Sequence, residues 1–146
     1  MKLIYSKITP SKLLHLIHSL KDIESLSTNK GLARINVAPI EELLQLATLK
    51  MDKGKTFEPH KHIYKEGEKK VIAQESWIVI KGKVKVIMYD LDDTIIDEVI
   101  LTAGDCSMTF AAGHNYIIQE DNTIVYEYKT GPYKGIKNDK VLLNEI

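Results

Sequence analysis

Three histidines and one glutamate of this 146-residue chain have types and positions suited to metal chemistry. His60-Lys61-His62 sets two imidazoles two residues apart. Along a strand such residues project from one face, which is how a sheet presents two nitrogens to a single ion. Glu75 opens the run Glu75-Ser76-Trp77-Ile78-Val79-Ile80. A carboxylate leading into a strand that is apolar on both faces is costly to bury unless it is paired or binds a metal; otherwise it reaches solvent from the strand end. His114 follows Gly113 and enters Tyr116-Ile117-Ile118, where an imidazole is either a satisfied core residue or a third ligand. Three imidazoles and a carboxylate suit one divalent transition metal: iron, manganese, nickel, copper or zinc. Such a set closes a tetrahedral zinc site and leaves two positions open on an octahedral ion. Substrate or dioxygen would take those positions, with the metal as Lewis acid or template.

The glycines around these residues carry a family resemblance. Five residues separate Gly54 from His60, six separate Glu75 from Gly82, and His114 lies ten positions after Gly104. Over about residues 44–128 this resembles the two motifs of the cupin superfamily, Gly-x5-His-x-His-x3,4-Glu-x6-Gly and Gly-x5-Pro-x-Gly-x2-His-x3-Asn. The resemblance implies a mainly β chain folded as a double-stranded β-helix, or jelly-roll barrel, with a short N-terminal helix. It also implies a metal held by His60, His62, Glu75 and His114. The pattern is altered in places: twelve residues separate His62 from Glu75 instead of three or four, Phe110 stands where Pro is expected, and His114 comes one residue early. Glu66 stands at the family's spacing from His62 and is the rival carboxylate. Glu75 is preferred because Gly82 and an apolar strand follow it, whereas Ala73 occupies the corresponding place after Glu66.

By the same resemblance the chain is a small metal-binding cupin of carbohydrate metabolism. It would act on a polar small molecule such as a sugar or nucleotide-sugar, as an isomerase, epimerase, oxygenase or lyase. The alternative is a cupin that binds a carbohydrate or other small ligand without turnover. A homodimer is expected, in line with the prevalence of two-fold symmetry, and residues 31–51 are the stretch that would lend a strand to a partner's sheet.

Strand parity names the neighbours of the four residues. Tyr116 shares parity with His114, Trp77 and Val79 with Glu75, and Tyr64 with His60 and His62 if that strand continues. Tyr64, Trp77 and Tyr116 are therefore the candidate substrate contacts, with plain core packing as the competing role.

The elements that must position this set are strands from about residue 44 onward. Val71-Ile72-Ala73, Trp77–Ile80, Val84–Met88, Ile95-Ile96 with Val99–Leu101, Tyr116–Ile118 and Ile124–Tyr126 are β-branched or apolar runs separated by turn residues. Leu91-Asp92-Asp93-Thr94 reads as a hairpin turn, even though Asp90, Asp92 and Thr94 share the lettering of a phosphatase motif that needs an α/β scaffold. Glu41-Glu42-Leu43-Leu44 suits a helix as well as a strand. Before residue 44, Thr9-Pro10-Ser11 followed by Leu13, Leu14, Leu16, Ile17 and Leu20 predicts a helix over about 10–21, and His15 and His18 on it read as ordinary surface histidines. The division is thus an extension (1–43), a barrel (44–130) and a turn-rich tail (131–146) packed on the same domain. Lys81-Gly82-Lys83-Val84-Lys85 reads as a solvated sheet edge. Cys106 reads as a small buried hydrophobe.

Composition narrows the function classes. Twenty basic side chains balance twenty acidic ones, which argues against non-specific binding to nucleic acid or anionic membrane. One cysteine makes no internal disulfide. No apolar run approaches the roughly 20 residues of a membrane span, and the N-terminus lacks the apolar core of a signal peptide. A cytoplasmic protein with a small-molecule ligand, and without nucleic-acid or membrane partners, is the expectation.

Overall fold

The computed structural model describes residues 1–65 and 71–143. Strands β1 (Lys2–Tyr5) and β2 (Leu13–Ile17) form an N-terminal hairpin, followed by the helix α1 (Leu20–Glu24), then β3 (Leu32–Asn36) and β4 (Leu44–Met51). Next come β5 (His60–His62), β6 (Tyr64–Lys65), β7 (Val71–Ile72), β8 (Glu75–Lys81), β9 (Lys83–Tyr89) and β10 (Ile95–Thr102). The chain ends with β11 (Cys106–Thr109), β12 (Gly113–Ile118), β13 (Thr123–Thr130), a short 3-10 turn at Ile136–Asn138 and β14 (Lys140–Leu142). Two five-stranded antiparallel sheets result, ordered β10-β9-β12-β5-β14 and β11-β8-β13-β4-β3. The chain changes sheet between β8 and β9, between β10 and β11, and between β12 and β13, as a double-stranded β-helix requires.

Burial alternates along β8, so that Glu75, Trp77 and Val79 turn inward while Ser76, Ile78 and Ile80 are only partly covered. Leu49, Met51, Val79, Val84, Val86, Tyr116, Ile118 and Val125 close one end of the space between the sheets, and burying such side chains contributes roughly 1.5–3 kcal/mol each. Gly82 makes the turn between sheets: its φ is +85°, and a Cβ there would come within 2.9 Å of the Thr123 Cα. Gly54 and Gly104 also have positive φ, at 83° and 95°, in keeping with their place in the glycine pattern.

The N-terminal segment differs from the sequence expectation. Residues 13–17 are strand, and the helix is the shorter Leu20–Glu24. Thr9-Pro10-Ser11 serves as a hairpin turn, closed by the Lys12 N–H donating to the Thr9 carbonyl at 2.8 Å. A Pro at the start of an apolar segment suits a turn as well as a helix N-terminus, and Lys2–Tyr5 supplies backbone partners that no local pattern announces. His15 is exposed on β2, while the His18 side chain is buried edge-on against Tyr126.

Two further readings change. β9 lies between β10 and β12, so Lys83–Lys85 belong to an interior strand and not to an edge. β11 is an edge strand that pairs only with β8 and turns Ser107 and Thr109 inward, which leaves Cys106 exposed. β3 and β4 pair with each other in register from Leu32↔Met51 to Asn36↔Ala47, with β3 as the outer strand of its sheet among the described residues. The Asp90–Thr94 segment is the expected hairpin turn, with Asp92 Oδ1 accepting from the Thr94 N–H and hydroxyl.

Candidate metal centre

Two sheets supply the four predicted ligands from opposite sides. β5 and β12 pair antiparallel with His60 opposite His114, so both imidazoles leave the same face of one sheet, and His62 follows two residues along β5. Glu75 starts β8 in the facing sheet. One ligand atom from each of His60, His62, Glu75 and His114 lies within 4.8 Å of all the others, and all four residues are buried. Glu66 lies outside the described residues.

Hydrogen bonds aim these side chains. His60 Nδ1 faces the Glu58 carbonyl at 2.9 Å, which leaves Nε2 pointing inward. His62 Nδ1 meets the Asp139 carbonyl at 3.2 Å and its carboxylate at 3.3 Å, and His62 Nε2 faces Glu75 Oε2 at 3.2 Å. Glu75 Oε1 accepts from the Trp77 indole N–H at 3.0 Å. His114 is fully buried, and neither ring nitrogen has a hydrogen-bond partner among the described residues; its Nε2 stands 3.3 Å from Glu75 Oε1 without hydrogen-bonding geometry. A buried imidazole without a partner is costly, and an ion among the four ligands would satisfy it. The donor set therefore fits a divalent transition metal.

The electrostatics agree with that fit. Burial pushes the His60 imidazole down, the nearby Lys140 charge pushes the same way, and its pKa falls to about 4. Burial also opposes charge on His62, but hydrogen bonds to Asp139 and Glu75 outweigh it and raise the pKa to about 9. Burial alone would raise Glu75, yet the imidazoles of His114 and His62 hold it well below the usual carboxylate range. Glu75 is thus an ionised ligand ready to accept a cation.

A cavity of about 280 Å³ adjoins the cluster. Trp77 and Tyr116 line it as expected. Their rings stack 4.0 Å apart at an interplanar angle of 6°, and the Tyr116 hydroxyl meets Ser107 Oγ at 2.9 Å. Trp77 is at once a core residue, part of the cavity wall and the donor that holds Glu75. Tyr64 is 62% exposed and absent from the cavity wall. The chain leaves strand geometry at Ile63, so parity with His62 does not carry through.

Strand spacing did not reveal the charged rim. Arg34 on β3 makes a two-pronged pair with the buried Glu127 on β13, at 2.6 and 3.3 Å. Lys129 bonds Asp139 at 3.2 Å and lies over the Tyr133 ring. Lys140, opposite His62 in the β5–β14 register, brings its Nζ to 3.3 Å from His60 Nε2, and burial pushes this ammonium below its ordinary value. Glu127 had a detectable signal, a carboxylate at inward parity with Val125. Asp139 and Lys140 had none, because their place depends on the tail returning to β5.

Solved structures share this architecture. A double-stranded β-helix domain protein from Klebsiella pneumoniae superposes with a TM-score of 0.61 at 16% identity, over 88% of this chain and 97% of the other. A cupin superfamily protein from Desulfitobacterium hafniense superposes at 0.53 with 10% identity, over 72% and 82%. The fold is that of the cupin superfamily. The capsular polysaccharide assembling protein CapF of Staphylococcus aureus contains the same cupin fold, at TM-score 0.66 and 14% identity, over 82% of this chain and 31% of CapF. No protein-family model and no curated protein sequence matches the chain. Among the described residues, no helix is long and apolar enough to cross a membrane.

Proposed function

We propose that this cupin holds one divalent transition metal at His60, His62, Glu75 and His114 and is an enzyme acting on a polar, carbohydrate-like molecule bound in the adjoining cavity. The observation that carries this reading is the convergence of four buried ligand atoms from two sheets beside a cavity with a polar rim. The cavity is at the small end of ligand pockets, which suits a single sugar-sized molecule better than an entire nucleotide-sugar. The likeness to the capsular polysaccharide assembling protein supports a carbohydrate ligand.

The bound metal would supply Lewis acidity toward a substrate oxygen. Asp139 would hold the His62 ring so that Nε2 faces the ion, and the Glu58 carbonyl would do the same for His60. The Trp77 N–H would fix one Glu75 oxygen. The stacked Trp77–Tyr116 pair gives one wall of the cavity an apolar face against which a sugar ring can lie, while Asn36, Gln45 and Asn115 on the lining offer amide groups to hydroxyls.

Elemental analysis of protein purified without chelator or His tag tests the reading, beside a His60→Ala, His114→Ala double variant. The expected result is about one equivalent of a transition metal per chain in the wild type, lost in the double variant. Absence of metal in both after reconstitution overturns it. Full occupancy with stoichiometric sugar binding and no turnover assigns the ligand-binding alternative in place of an enzyme.

A further inference from the structure

The charges around the cavity do not pair off evenly. Its lining carries three cations, Arg34, Lys129 and Lys140, and three carboxylates, Glu75, Glu127 and Asp139. Arg34 is committed to Glu127, Lys129 to Asp139, and Glu75 to the histidines. Among the described residues no carboxylate lies within ion-pair distance of Lys140, although Glu75, Glu127 and Asp139 act on it from further off; its hydrogen-bond partner is Nε2 of His60, the atom turned toward the metal position. A metal on that nitrogen would take away the acceptor that Lys140 uses. Among the described residues the site would then hold two positive charges in excess, with the half-buried Lys140 ammonium deprived of its hydrogen-bond acceptor at the cavity wall.

Resting on the metal reading above, we infer that Lys140 receives a carboxylate of the bound molecule, so that the carbohydrate-like ligand of this cupin is a small polyhydroxy acid and not a neutral sugar. A carboxylate between the metal and Lys140 satisfies both with charge-assisted contacts. A phosphate is less well served. Lys140 alone would meet a phosphate as a single point charge; the Arg34 fork is occupied by Glu127, and among the described residues no α-helix N-terminus lines the cavity to add backbone N–H groups. Lys140 lies on the C-terminal strand, held in register against His62, so a backbone pairing and not a mobile loop delivers the charge.

The test is calorimetric titration of D-glycerate, glycerol and inorganic phosphate into wild-type, Lys140→Met and Lys140→Arg protein, each with and without metal. A direct metal titration of the same samples runs alongside. Glycerate and glycerol differ by a carboxylate in place of a hydroxymethyl group. Expected is at least ten-fold tighter binding of glycerate than of glycerol by the metal-loaded wild type. Lys140→Met should lose that preference while still taking up metal, and Lys140→Arg should keep most of it. Equal affinity for glycerate and glycerol, an undiminished preference in Lys140→Met, or tighter binding of phosphate overturns the inference, and with metal uptake intact leaves the metal site standing. A Lys140-dependent preference for glycerate in protein that takes up no metal upholds the inference and overturns the metal reading instead.

Discussion

The Glu75 carboxylate lies 3.2 Å from Nε2 of His62 although the two residues belong to facing sheets. That contact closes the gap between a histidine pair on one strand and a carboxylate on another, and it makes the metal-free site an internal ion pair. His62 is held on its far side by Asp139, so Glu75, His62, Asp139 and Lys129 form one electrostatic chain along the cavity.

Asp139 fixes the orientation of a ligand without being one. Asp139→Asn keeps the shape and removes the charge that orients His62. Metal affinity should fall by about 10–100-fold, the usual cost of losing an outer-shell partner, while the stoichiometry stays at one. Competition with a chromophoric chelator reads the affinity directly, and an unchanged constant would show that the carboxylate has no part in ligand orientation.

Metal uptake should release a proton. In the metal-free protein His62 has its pKa raised to about 9 and His60 is pushed down to about 4, so at neutral pH His62 must lose a proton to become a ligand whereas His60 need not. Affinity should therefore rise by about ten-fold per pH unit up to about pH 9. Calorimetry in buffers of different ionisation enthalpy should detect the His62 proton released on metal uptake. The sign for stability follows: a raised pKa means that protonated His62 favours the metal-free fold, fully below the ordinary value of 6.5, and this contribution disappears as pH climbs through 9. Thermal unfolding of metal-free protein between pH 6.5 and 9.5 should show that decline, and Asp139→Asn should flatten it.

Gly82 and Gly54 separate backbone strain from steric clash. Both have positive φ, but a Cβ at Gly82 meets Thr123 whereas nothing lies within 4 Å of one at Gly54. Gly54→Ala should cost about 1–2 kcal/mol from the left-handed conformation alone. Gly82→Ala should cost more, because the Thr123 backbone must also shift. Urea unfolding of the two variants side by side measures the difference, and equal losses would show that the turn relaxes freely.

Leu49 is fully buried in the apolar end of the barrel. Leu49→Ala should lower stability by about 2–5 kcal/mol while the folded protein still takes up one metal. Denaturant unfolding with a metal titration of the native fraction checks both halves, and loss of metal binding in folded protein would mean that the two ends of the barrel are coupled.

Much of the site was legible in the sequence because strand parity is strict. His60 and His62 share a face by their spacing alone, Glu75 and Trp77 do so for the same reason, and the glycines at 54, 82 and 104 mark turns that only a residue tolerant of positive φ makes easily. Tyr64 failed on that same rule, since parity holds only while the strand continues and this one stops at Ile63. The N-terminal helix failed for a different reason. Leu13, Leu14, Leu16 and Ile17 fit a helical face, but the Lys2–Tyr5 strand offers backbone partners that a local pattern does not contain.

The order of residues along the chain determined the ligand types, the strands that carry them and the polarity of their faces, because those depend on nearest-neighbour geometry. Which strands lie side by side was decided only by tertiary structure. His114 stands opposite His60, and Lys140 opposite His62, through backbone pairing across long loops, whose closure depends on the packing of both sheets together. The charged rim belongs to that second category: Arg34 meets Glu127 across ninety-three residues of sequence, and no spacing rule reaches so far.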